Sequence, residues 1–143
     1  MDDVFSIVKR MKAKALLMYL NGMDNQIEFT LETEQGGLLP FLDVAVRRGD
    51  TGLLRTGVYR KPTHTDRVLN FHSHHSRSAR AAVVHALLNR LDTHFAEGDT
   101  ERKSLERQHV FETLVANDYP LRFIEHIASR RGRRLRNVSL RLG

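Results

Sequence analysis

From Thr100 to Gly132 the chain runs TERKSLERQHVFETLVANDYPLRFIEHIASRRG. Phe111, Leu114 and Val115 recur at helical spacing, so a helix is expected over Thr100 to Asn117 that buries them. Pro120 suits a first helical turn, because the N–H it lacks is one that a helix start leaves unpaired. From there Leu121, Ile124, Ile127 and Ala128 share one face of a further helix. Only Asp118 and Tyr119 separate the two patterns, so the helices must meet sharply or run antiparallel, as in a helix-turn-helix. Gly132 is expected to end the second helix and leave a disordered basic tail.

Upstream of this pair, Ser76 or Ser78 is placed to cap another helix. Val84, Leu87, Leu88, Leu91 and Phe95 form its apolar stripe, with Arg77, Arg80 and Arg90 free for the solvated side. The first 62 residues carry a different rhythm. Val4-Phe5-Ser6-Ile7-Val8 is β-branched and aromatic, as in a short strand, and Leu16, Leu17, Leu20 and Met23 mark a helix closed by Asn21-Gly22 and Asp24-Asn25. Ile27, Phe29 and Leu31 alternate with Glu28, Thr30 and Glu32, the period-two pattern of a half-wet strand. Leu42, Val44 and Val46 alternate again, the Gly49 to Gly52 cluster supplies a turn, and Leu53 to Lys61 returns as the partner strand before Pro62.

The chain has 143 residues, 41% hydrophobic and 28% charged, enough for one domain or two small units. It contains no cysteine, which excludes disulfides, thiolate metal sites and cysteine nucleophiles. No run of about 18 apolar residues suggests a membrane span, and the acids at the N-terminus are unlike a signal peptide, so an intracellular protein, nuclear or cytoplasmic, is expected. The net charge of +6 is uneven: residues 1–50 hold six bases and eight acids, the remainder seventeen bases and nine acids. A nucleic acid would therefore be drawn to the second half.

Four constellations bear on chemistry. Asp2 and Asp3, directly before an apolar run, can offer oxygen ligands to Mg²⁺, although acids at a chain start often serve only solubility. Tyr59-Arg60-Lys61-Pro62-Thr63-His64-Thr65-Asp66-Arg67 combines an aromatic ring, cations and hydroxyls on a proline-stiffened turn. That mixture suits phosphate and sugar contacts, with Tyr59 stacking on a base; the plainer reading is a charged edge strand. Arg122, Arg130, Arg131, Arg133 and Arg134 can neutralise phosphates with little sequence choice, or simply form a solvated basic face. The histidines of His72-Ser73-His74-His75 lack the helical spacing, acid and thiolate companions of a zinc site, so loop hydrogen bonding is the better reading.

Leu39-Pro40-Phe41-Leu42-Asp43-Val44, the stretch Val58 to Arg67, and Ser73-His74-His75 ahead of an amphipathic helix together resemble the C-terminal part of reverse transcriptases of Penelope-like retroelements. The resemblance covers nearly the whole chain. It implies that Met1 falls on the variable position of an aromatic-x-Asp-Asp motif and Asp2 on its first metal-binding aspartate, with Asp3 beside it. It also implies that Met1 is an internal position of a longer polymerase, whose fingers and upstream palm aspartate this chain lacks. Two-metal catalysis needs carboxylates from separate strands, so the isolated chain is expected not to polymerise, and Mg²⁺ belongs to the parent enzyme rather than to the fragment.

The expected fold is thus α+β: a truncated polymerase palm (strand-helix-strand-hairpin, 1–62), a helical thumb-like and helix-turn-helix region (63–131), and a basic tail (132–143). The expected function is template-primer, RNA/DNA hybrid or single-strand binding through Tyr59, Arg60, Lys61, His64, Arg67 and the Arg122 to Arg134 cluster. A stand-alone helix-turn-helix DNA-binding module and a small basic protein-interaction protein are the alternatives.

Overall fold

A computed structural model describes residues 3–49, 52–95 and 98–139, with side chains as far as Arg131. The chain is mixed α and β, with one short helix, then a small sheet, then three longer helices. A 3-10 turn at Arg10–Lys12 leads into helix α1 (Ala13–Asn21), and strands β1 (Leu38–Phe41), β2 (Val44–Arg48) and β3 (Leu54–Val58) follow. Helices α2 (Arg77–Thr93), α3 (Thr100–Ala116) and α4 (Leu121–Ser139) complete the described chain.

The strands form one antiparallel sheet in the order β1-β2-β3, with Leu39 opposite Val46 and Ala45 opposite Gly57. The β2-β3 hairpin is the one that alternation predicts. β1 is an addition that the sequence reading missed, because Pro40 within Leu38–Phe41 argues against a strand; Pro40 is tolerated on the outer strand, where no further strand needs the N–H that proline lacks. Leu42 takes the positive φ of 56° that the tight β1-β2 turn demands and leaves its side chain in solvent.

Two expected strands do not form. Val4 to Val8 lies outside any ladder, and Phe5 instead sets its ring against Phe41 of β1, 5.6 Å between centroids. Ile27 to Leu31 runs without strand pairing because a side chain satisfies its backbone. The Asn21 Nδ2 donates to the Phe29 carbonyl (3.1 Å) and the Phe29 N–H donates to Asn21 Oδ1 (2.7 Å). Alternation marks a wet face and a dry face, but a ladder also needs a neighbour in reach.

The core belongs to the helices. Val84, Leu88 and Leu91 of α2, Val110 and Leu114 of α3, Tyr119, and Ile124 and Ile127 of α4 form one buried cluster. Ser76 caps α2, its hydroxyl accepting from the Ala79 N–H at 3.2 Å. The buried face of α3 is turned from the expected one: Val110, Thr113 and Leu114 are inside and Val115 is 46% exposed. That rotation directs Asn117, a further turn along, at the incoming chain. On α4, Leu121 is 55% exposed, while Tyr119 before it and Ile124 after it take the buried positions. α4 also continues through Gly132 to Ser139 rather than ending there. A single glycine costs a helix only about 1 kcal/mol, and the flanking arginines and Leu135 are good helix formers.

Candidate nucleic-acid interface

Between α3 and α4 the chain turns in four residues, Asn117 to Pro120. Asp118 adopts φ 66°, the left-handed conformation that Asp tolerates better than most residues and that redirects the backbone. Tyr119 is then driven into the core, 2% exposed, with its N–H on the Leu114 carbonyl at 3.0 Å. Its ring meets Phe71 and Phe123, and burial pushes its phenol above the ordinary range.

The segment from Tyr59 to Ser76 lies across this turn as a strap. The Asn117 side chain donates to the carbonyls of Thr113 (2.8 Å) and Asp66 (3.0 Å) and accepts from the Val68 N–H (3.2 Å). Its carbonyl accepts from the Phe71 N–H at 3.0 Å, and Asn70 Nδ2 donates to the Asp118 carboxylate at 2.7 Å. Asp66, at φ 52°, stands 2.9 Å from His64 Nε2 and 3.1 Å from His109 Nε2, with Arg60 Nε at 3.6 Å. Burial raises the Asp66 carboxyl, but the His109 hydrogen bond and the charges of His64 and Arg60 outweigh it and hold it below the usual range.

Arg60 makes a forked pair with Glu106 of α3, and that hydrogen bond raises its guanidinium above its ordinary value. The sheet is tied to the helices twice more. Asp43 in the β1-β2 turn is paired with Arg90 Nη2 and His94 Nε2, each 3.0 Å from its Oδ2, and is held low chiefly by His94. Phe95 packs on buried Gly57, where an added Cβ would stand 3.4 Å from the ring. A third cluster binds the helices together: Asp92 of α2 takes Lys103 of α3 and Arg131 of α4, each at 2.9 Å.

These pairings sort the residues that the sequence singled out. Arg60 and Arg131 are committed to internal ion pairs, and His64 leans on Asp66. Tyr59 is half-buried, its N–H on the Asp43 carbonyl at 2.8 Å. Lys61, Arg67, Arg122 and Arg130 are exposed and have no acid partner among the described residues. Arg133 and Arg134 lie on the α4 backbone, their side chains outside the described set. Asp2 is outside the described residues; Asp3 is exposed, in a stretch of no regular structure. Among the described residues no three His, Asp or Glu converge on a metal-sized site, and His75 spends Nδ1 on the Ser73 hydroxyl at 3.1 Å.

Sequence reasoning missed Asn117, Glu106 and His109, the residues that hold the strap. The adjacent polar pair Asn117-Asp118 at a helix end was a usable signal, since Asn and Asp favour such ends for their backbone hydrogen bonding. The apolar stripe of α2 leaves Arg80 and Arg90 for the solvated side. Arg80 instead lies over the Phe71 ring (5.1 Å) and bonds the His75 carbonyl, while Arg90 holds Asp43. His126 is a further residue of this face, exposed on α4 between Arg122 and Arg130 and four residues from each, a spacing that helical periodicity makes visible.

Three helices around one core, the last two joined by a tight turn, define a helix-turn-helix unit. Residues 67–129 match the animal helix-turn-helix domain family, a span that begins in the strap and ends on α4. No curated protein and no solved structure matched the chain. Among the described residues no helix is long and apolar enough to cross a membrane.

Proposed function

We propose that this protein binds nucleic acid through its helix-turn-helix unit, with α4 as the helix presented to the groove and the strap beside it on the phosphates. The observation that carries this reading is the outward side of α4. Arg122, His126 and Arg130 recur at four-residue spacing, all exposed, while Ile124 and Ile127 face the core. A second helix that keeps its polar face open while its apolar face is locked to two supporting helices is built to be offered to a duplex. Lys61 and Arg67, exposed on the strap, supply phosphate contacts in place of the internally paired Arg60. Each phosphate contact should add about one unit to the slope of log affinity against log salt.

Arg122→Ala and Lys61→Ala test this with fluorescence anisotropy on a labelled duplex across a salt series. Weaker binding with a shallower salt slope supports the reading, and unchanged affinity in both variants removes it.

A finer proposal follows from the resemblance to Penelope-like reverse transcriptases. It divides the chain into a palm remnant (1–62), a thumb-like and helix-turn-helix region (63–131), and a basic tail (132–143). The order of hairpin, strap and helices supports it. On this proposal the favoured ligand is an RNA/DNA hybrid or primed template, and Asp2 and Asp3 descend from the parent's metal site. Two-metal catalysis needs carboxylates from separate strands, so on this proposal Mg²⁺ belongs to the parent enzyme and no catalytic step is assigned to this chain. Competition between hybrid and DNA duplex decides: preference for the hybrid favours polymerase descent, and preference for one duplex sequence favours a stand-alone DNA-binding module.

A further inference from the structure

At the far end of the helical unit α2, α3 and α4 border an open cleft of about 350 Å³. That is at the small end of the range in which ligands bind, about 300–1,000 Å³. Its floor is apolar, made by Leu88 and Leu91 of α2 and Ala128 of α4. Its rim is cationic, made by Lys103, Arg107 and Arg131, with Asp92 as the acid of the lining. Lys103 and Arg131 share that acid, and Arg107 has none among the described residues; its guanidinium rests over the Phe111 ring at 5.6 Å.

We propose that this cleft docks an acidic segment of a partner protein that inserts an apolar side chain between the helices and sets carboxylates against Arg107 and its neighbours. Charge complementarity selects the occupant: three cations against one acid leave the rim positive. The floor selects further, because a phosphate backbone would meet the cations but offer nothing to Leu88, Leu91 and Ala128, whereas an amphipathic acidic peptide meets both. Position separates the cleft from the nucleic-acid face. Ser104, in the cleft lining, is about 20 Å along α3 from the Asn117 turn. On α4 the cleft lining takes half-buried Ala128 and Arg131, while exposed Arg122, His126 and Arg130 lie outside it, Arg130 being the one next to it in sequence. Both surfaces can therefore be occupied together, joining a protein partner to the bound nucleic acid.

The test uses the full chain and a fluorescein-labelled probe peptide, EELFEELLEE, followed by anisotropy. Saturable binding is expected, weakened about tenfold by Arg107→Glu and by Ser104→Glu, an exposed position of the same cleft, with circular dichroism checking that each variant folds. Arg55→Glu, which makes the same charge change on β3, should leave binding as it was. Three results overturn the proposal: equal losses in Arg55→Glu and Arg107→Glu, equally tight binding of EEGSEEGSEE, or displacement of the probe by duplex DNA together with a matching loss of duplex affinity in Arg107→Glu. The last would assign the cleft to the nucleic-acid surface.

Discussion

Replacing Asn117 by alanine should unfasten the strap from the helix-turn-helix. The wild-type side chain makes three hydrogen bonds, to the carbonyls of Asp66 and Thr113 and from the Val68 N–H. A typical intramolecular hydrogen bond contributes about 0.5–1.5 kcal/mol net, and a donor or acceptor stranded away from water costs more. The buried Thr113 carbonyl keeps the Asn117 backbone N–H as a donor at 3.2 Å, so the loss is dominated by Val68 and Asp66, giving about 2 kcal/mol. For a unit of this size that corresponds to a fall in Tm of roughly 8–16 °C. The assay is urea unfolding followed by circular dichroism, paired with duplex anisotropy at constant salt.

Asn117→Asp sharpens the test. It keeps the shape and the acceptor for Val68 but loses both donations and sets a carboxylate against two carbonyls. It should therefore rescue nothing, and stability should be no better than in the alanine variant. A loss below about 0.5 kcal/mol in Asn117→Ala, the range of ordinary surface substitutions, would refute the reasoning. So would full recovery in Asn117→Asp, because shape rather than hydrogen bonding would then be what matters.

Arg60→Ala is expected to cost about 2 kcal/mol in urea unfolding, since it strands the mostly buried Glu106 carboxylate, whereas Lys61→Ala should leave stability within about 0.5 kcal/mol. Tyr119→Phe should lose no stability and gain up to about 1 kcal/mol, because the buried Tyr119 hydroxyl has no hydrogen-bond partner among the described residues; a clear loss on thermal unfolding would contradict this. Asp43, Asp66 and Asp92 are all held below the ordinary carboxylate value near 3.9. Their contribution is full above that value and is lost as pH falls through the lower folded values, so the denaturation midpoint should drop steeply below about pH 4. Asp92→Asn should flatten that drop, and an unchanged acid profile would count against the role of its ion cluster.

Much of the helical half is legible in the residues alone. Pro120, the Ser76 cap and the spacing of Leu114, Ile124 and Ile127 place three helices and a tight turn, because local propensity and periodicity act within a few residues of one another. The β2-β3 hairpin is legible for the same reason, through alternation on either side of a glycine turn. What alternation leaves open is whether a partner strand exists. Ile27 to Leu31 has the pattern of a strand, but its backbone is met by Asn21 rather than by a sheet, a choice made by chain path.

The candidate interface divides along the same line. That the second half is cationic and suited to a polyanion is a property of composition, settled by the sequence before folding. Which cations remain free was decided only by tertiary structure, because an arginine's availability depends on acids distant in sequence. Arg60 meets Glu106, Arg90 meets Asp43 and Arg131 meets Asp92, each across more than one element, whereas Lys61, Arg67, Arg122 and Arg130 meet none among the described residues. The charge that attracts a ligand is written along the chain, and the part of it left over for binding is set by packing, which spends opposite charges on one another wherever helices and strap come within reach.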